Sequence, residues 1–206
     1  MQAEECLAAA AAAEPVDAGT ARLWQEEAGR LSQEAGELLL HAGRRYRAVL
    51  EADPTQARAF VQWGRALCLR AELARAAGEA RAAADLFATA SDKFDGALDI
   101  EPQHQQATRL AGLALLDAAV CTADAAAADA AAAGGDMGWE GRGRALQMLK
   151  TVQGYLGTAL QADARDEEVG ARLEECQRMI AMLEGGQAAV ETAQAAAPRI
   201  DYNSDV

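Results

Sequence analysis

The nonapeptide YRAVLEADP at residues 46–54 returns as FDGALDIEP at residues 94–102, 48 residues later. Each copy opens on an aromatic, has a small or β-branched residue three places on and Leu at four, then an acid at seven and Pro at eight. The first three positions share one face of a helix. The last two end that helix, because a residue before Pro is pushed out of the α region. A weaker third copy, YLGTALQAD at residues 155–163, puts Tyr155 in the aromatic place and Asp163 where Pro would stand. A unit that recurs in this way cannot bury its own apolar face alone. It points to stacked helical units that cover one another.

The composition agrees. About a quarter of the residues are Ala, only 4% are aromatic, and four prolines interrupt the chain. Ala is the best helix former and lets helices approach closely, whereas sheets draw on β-branched and aromatic residues. The pattern predicts an all-α fold of six or seven helices. Thr20 is read as an N-cap, and Leu23, Trp24, Leu31, Leu38, Leu39, Tyr46, Val49 and Leu50 carry the first helix to Ala52. A second helix runs from Gln56 to a break near Gly78, a third from about Ala80 to Ile100, and a fourth from Gln105 into the Ala-rich tract 125–133. The stretch GGDMGWEGRG, residues 134–143, reads as a loop. A fifth helix spans Arg144 to Ala162, and a sixth ends at a C-cap signal, Gly185-Gly186. The expected divisions are an N-terminal segment 1–19, helical or disordered, a helical domain 20–186, and a partly disordered tail 187–206.

Gly64 and Gly112 each stand ten residues after a phrase-ending Pro, inside a helix. Glycine weakens a helix, so its expected use here is close approach by a partner helix. AFVQWGRAL at residues 59–67, followed by Ala90, Phe94, Ala97, Leu98 and Pro102, resembles the tetratricopeptide repeat. Ala107, Gly112 and Leu115 begin a further copy. The usual repeat takes 34 residues, so a 48-residue period implies unusually long helices in each hairpin. Within that family, ADP-x5-F-x2-WGRALCLRAEL, KFDGALDIEP and AT-x2-AGLALL resemble plant-type proteins with elongated repeat helices, such as the plant mitochondrial outer-membrane import receptor and small plastid repeat proteins. The resemblance implies a superhelix of antiparallel hairpins, and protein or peptide binding rather than catalysis. IDYNSDV at the end of this sequence is not the membrane anchor that the receptor carries.

No sequence feature points to an enzyme or a cofactor. His41 and His104 stand far apart, with no carboxylate or Cys in ligand register, and no nucleophile elbow, Walker loop or zincin motif occurs. Cys6, Cys68, Cys121 and Cys176 lack metal-ligand spacing and read as buried, reduced thiols of an intracellular reducing compartment, cytoplasmic or organellar, with the plastid stroma among the options. A net charge of −13 disfavours nucleic acid and anionic membrane surfaces. No apolar run predicts integral membrane insertion.

The remaining candidate surface is the groove that the first helix of each pair lines in this repeat. The expected outward positions are Arg58, Val61, Gln62, Arg65 and Leu69, then Arg109, Leu113 and Leu116. An apolar strip edged by arginines in an acidic protein suits a partly apolar segment carrying acids. Trp139 in the Gly-rich stretch either folds back onto a hairpin end or contacts a partner directly. The expected function is a non-catalytic adaptor or assembly factor. The alternatives are a permanent structural subunit of a larger complex and a peptide binder like an organellar import receptor.

Overall fold

The computed structural model describes the backbone of residues 18–132 and 139–196. It describes side chains within 22–132, except Gln25, and within 143–185. Among the described residues six helices follow in order: α1 (Ala18–Ala52), α2 (Ala57–Ala76), α3 (Ala80–Ile100), α4 (Gln105–Ala132), α5 (Trp139–Ala162) and α6 (Glu167–Ala196). No strand occurs among the described residues, so the all-α expectation holds. Cys6 and the ends of the chain at 1–17 and 197–206 lie outside the described residues.

Contacts divide the chain into two units, Met1–Leu38 and Leu39–Val206. The described part of the first is the leading stretch of α1. It is held locally by Arg22–Glu26 at 3.3 Å and by Arg30, which bridges Glu27 and Glu34 at 2.5 and 2.7 Å. Such pairs at three and four residues' spacing add only tenths of a kcal/mol each. Leu23, Trp24, Leu31 and Leu38 on this stretch are exposed.

In the second unit each helix from α2 onward packs on the next, and α4 also touches α2 and α6. The recurring phrase sets the joints. α1, α3 and α5 are each followed by a four-residue connection, at 53–56, 101–104 and 163–166. Before Pro102, Glu101 turns to extended backbone at φ −126°, ψ 86°. The first helix stops six residues past Tyr46 and the third six past Phe94, whereas the fifth runs seven past Tyr155. Asp163 does not force the preceding residue out of the helix as Pro does. Asp53 closes the first joint by accepting the Thr55 N–H, and Asp163 does the same for Arg165, both at 3.1 Å. At the second joint His104 caps α4, its Nδ1 accepting the Ala107 N–H at 3.2 Å. The break at Gly78 is also as expected, with a φ of +80° that suits glycine.

Two boundaries differ from the sequence reading. α5 begins at Trp139, so Trp139 to Gly143 are helical rather than part of a loop. A helix's first turn has no intrahelical N–H partners to lose, and glycine costs less there. α6 passes through Gly185 and Gly186 and continues to Ala196. Two glycines cost about 1 kcal/mol each relative to Ala, and the helix formers AAVETAQAA carry the helix on. Thr20 likewise lies inside α1, not at its cap.

The core explains the repeated residues. A Cβ on Gly64 of α2 would lie 2.5 Å from Cε1 of Phe94 on α3. A Cβ on Gly112 of α4 would lie 2.7 Å from Leu156 Cδ2 and 3.0 Å from Tyr155 Cβ on α5. Each glycine thus receives a side chain at or beside the aromatic place of the phrase. Phe94 is fully buried among Ala57, Val61, Ala97, Ala107 and Ala111, which joins three helices. Leu116, Leu149, Val152, Leu156, Val169 and Cys176 form the matching core of α4, α5 and α6. Among the described helices, α4 is long and apolar enough to cross a membrane, a property missed in the sequence. Here its apolar side serves as core, with Ala107, Ala111, Ala114, Leu116, Ala118 and Ala119 buried against its neighbours.

Tyr155 adds a polar tie. Its hydroxyl donates to Asp95 Oδ1 of α3 at 2.7 Å. Burial, then this bond, pushes the phenol up to about 12. Tyr155→Phe should cost about 1–3 kcal/mol, because a partly buried carboxylate loses its donor. Urea denaturation followed by circular dichroism would measure the loss.

Candidate partner-binding surface

α2 carries one face open to solvent and another that lies largely buried beside α1. Residues 58, 62, 65 and 69 recur at intervals of three and four and so form one stripe. On it Arg58 and Arg65 are exposed, Gln62 is half-buried, and Leu69 is 51% exposed. Residues 63, 66, 67 and 70 form the other face, turned toward the C-terminal half of α1. There an open cleft of about 210 Å³ lies between Leu39, Leu40 and Gly43 of α1 and Trp63 and Leu67 of α2, with Arg44, Arg47 and Arg70 around it.

The Trp63 side chain spans the gap between the two helices at this cleft. A Cβ on Gly43 would lie 3.3 Å from Trp63 Nε1. Lys93 of α3 holds the Trp63 ring from another side, with Nζ 4.6 Å from the ring centroid.

Charge is unevenly placed. Residues 39–78 carry arginines 44, 45, 47, 58, 65, 70 and 75 against only Glu51, Asp53 and Glu72, a net +4 inside a chain of −13. Arg47 pairs with Glu51 at 3.1 Å and Arg75 reaches Asp117 at 3.8 Å. Arg44, Arg45, Arg58, Arg65 and Arg70 have no acidic partner within 4.0 Å among the described residues.

Farther along the stack, Arg81, Arg109 and Arg172 are engaged. Arg109 of α4 pairs with Asp166, Nε to Oδ2 at 2.7 Å, and with Glu168. Asp166 also accepts the Val169 N–H at 3.0 Å as the cap of α6. That bond first, then Arg109, holds its carboxyl below the usual range. Asp117 of α4 accepts from Arg172 of α6, which also binds Glu175 at 2.7 Å. At the far end of the hairpins, Arg81 of α3 pairs with Asp129 of α4.

These contacts correct the expected strip. Val61 is 2% exposed and Leu116 fully buried, so both are core residues and neither faces outward. Arg109 ties α4 to the start of α6. Leu113 is half-buried against the α4–α5–α6 core. Arg58, Gln62, Arg65 and Leu69 remain together on one face of α2. Trp139 opens α5, and its side chain lies outside the described residues. The cleft around Trp63 was missed, although Gly43-Arg44-Arg45 and the pair Trp63-Gly64 were its visible traces.

Cys68, Cys121 and Cys176 are free thiols. Burial, then Asp117 and Glu72, pushes Cys68 up to about 12, and burial raises the other two. Cys176 also donates to the Leu149 carbonyl at 3.2 Å. At pH 8 these three thiols should resist alkylation in the folded protein and react after unfolding, since the thiolate is the nucleophile. Mass spectrometry of iodoacetamide-treated protein, with and without urea, would read this out. Among the described residues no three His, Cys, Asp or Glu side chains gather to hold a metal ion. No protein-family model and no curated protein matches the chain.

Proposed function

We propose that the protein is a non-catalytic adaptor or assembly factor, built as a tetratricopeptide-like superhelix, that holds an acidic, partly apolar segment of another protein. The observation that carries this reading is the basic first end of the stack. Five arginines of α1 and α2 have no acidic partner among the described residues, two of them, Arg44 and Arg70, at the apolar cleft and two, Arg58 and Arg65, on the stripe of exposed Leu69, while ion pairs occupy Arg109 and Arg172 farther along. The two glycine contacts, the equal four-residue joints and the lengthened hairpins support the repeat assignment. Three free thiols, two buried and one half-buried, suit a reducing compartment.

The test is a partner recovered by affinity capture on the full chain, then titrated directly. Reversing Arg44, Arg58, Arg65 and Arg70 to Glu should cost on the order of 2–5 kcal/mol of binding, or roughly 30-fold to several thousand-fold in Kd. Arg22→Glu with Arg178→Glu, outside this set of arginines, should leave binding within about threefold. A partner that binds the fourfold variant as tightly as wild type would remove the basic end from consideration.

A second reading, a permanent subunit of a larger complex, is favoured by one observation. Trp24, Leu31 and Leu38 recur every seven residues on α1 and are 65%, 51% and 70% exposed. A stripe of that size is what a constant partner covers. Light scattering that shows a soluble monomer over a wide concentration range would count against it.

A further inference from the structure

We propose that the cleft between the C-terminal half of α1 and α2 seats one bulky apolar side chain of an acidic amphipathic helix, and that Arg44 and Arg70 take the carboxylates flanking that side chain. This rests on the reading of the protein as a holder of acidic segments, and specifies where such a segment is anchored.

The floor of the cleft is apolar and is built from both helices: Leu39 and Leu40 from one, Trp63 and Leu67 from the other. Trp63 is fixed, with Lys93 over its ring and its indole nitrogen against the Gly43 backbone. At about 210 Å³ the space suits a single large side chain. Small-molecule sites run from about 300 to 1,000 Å³.

The rim is cationic. Arg47 is occupied by Glu51 at 3.1 Å, which leaves Arg44 and Arg70 with donors for an incoming acid. A guanidinium binds a carboxylate through two parallel hydrogen bonds, so the pair selects acids rather than any polar group. A chain of net −13 repels long polyanions, whereas a short helix can bring one leucine or phenylalanine and two carboxylates to one face at three- and four-residue spacing. This face of α2 differs from the Arg58–Arg65 stripe, so the two are separable by mutation.

The experiment uses the full chain labelled with ¹⁵N. Its three tryptophans give indole N–H signals, and the one lost in Trp63→Phe is the reporter. The probe is a synthetic 16-residue helix with Leu and Phe on one face and Glu on the other. Two controls replace every Glu by Gln, or every Leu and Phe by Ala.

The acidic amphipathic peptide should shift the Trp63 signal to saturation, and both controls should shift it at least tenfold less at equal concentration. Arg44→Glu with Arg70→Glu should weaken the peptide at least tenfold with the circular dichroism unchanged. Arg44→Lys with Arg70→Lys should restore part of the affinity. Binding that survives Arg44→Glu with Arg70→Glu but is lost in Arg58→Glu with Arg65→Glu overturns the cleft while the acidic-segment reading stands. No binding of the acidic peptide to any surface overturns both. A reporter that moves with oleate and not with the peptide overturns the cleft proposal in favour of an anionic amphiphile.

Discussion

Truncating Phe94 to Ala should cost about 3–5 kcal/mol, among the largest losses from truncating any one side chain in this chain. The ring is fully buried, and it lies where α2, α3 and α4 meet. Small domains hold only about 5–15 kcal/mol in total, so the variant should sit near the edge of folding. Gly64→Leu attacks the same contact from the other side. A Cβ at 64 meets Phe94 atoms at 2.5, 2.7 and 2.9 Å, and a ring packed on all sides cannot swing away. Overpacking of this kind costs about 1–3 kcal/mol. The two changes should not add. In the Phe94→Ala background the side chain brought in by Gly64→Leu can enter the space the ring has left, so its own cost should fall or change sign. Urea denaturation of the four proteins in the cycle measures this coupling. Additive losses would show that Gly64 and Phe94 do not share one packing site, and the assignment of the repeat would fail with them.

Arg109→Glu should destabilise by about 1–3 kcal/mol, whereas Arg65→Glu should stay within about 0.5 kcal/mol of wild type. The first places a third carboxylate against Asp166 and Glu168. Breaking a fully buried pair costs about 3–5 kcal/mol and an exposed one about 0–1. Arg109, with 31% of its side chain exposed, lies between. The pH dependence has a definite sign. Asp166 is held below its ordinary value by the Val169 N–H and by Arg109. Its contribution is therefore complete above the unfolded-state value of about 3.9 and is lost as pH falls through the lowered folded value. The advantage of wild type over Arg109→Glu should be full at pH 7 and shrink below about pH 4. An Arg109→Glu protein that melts with wild type at pH 7 would show Arg109 to be solvated, and so available to a partner after all.

The contrast between those two arginines shows where sequence reasoning stops. Arg65 and Arg109 both stand in the first helix of a pair, and periodicity alone assigns both to the open side. What separates them is an acid 57 residues downstream, Asp166, that the next turn of the stack brings to Arg109. Asp117 and Arg172 meet across 55 residues in the same way. Val61 and Leu116 entered the expected groove because apolar residues at helical spacing mark a face without saying what covers it. Here the neighbouring helices do.

What the chain alone determined is local or repeated. Pro54, Pro102 and Gly78 set helix ends because their backbone restrictions act on adjacent residues. Gly64 and Gly112 pointed to a close contact because a residue that weakens a helix recurs ten residues after each closing Pro. The tertiary structure alone decided whether Gly141, Gly143, Gly185 and Gly186 break a helix, since a penalty of about 1 kcal/mol each is within reach of the surrounding helix formers and packing. It also decided which arginines are spent on ion pairs and which remain open, and that Trp63 meets Gly43 to form a cleft. Those outcomes depend on groups tens of residues apart in the chain, whose meeting is set by the stacking of whole helices and not by any local preference.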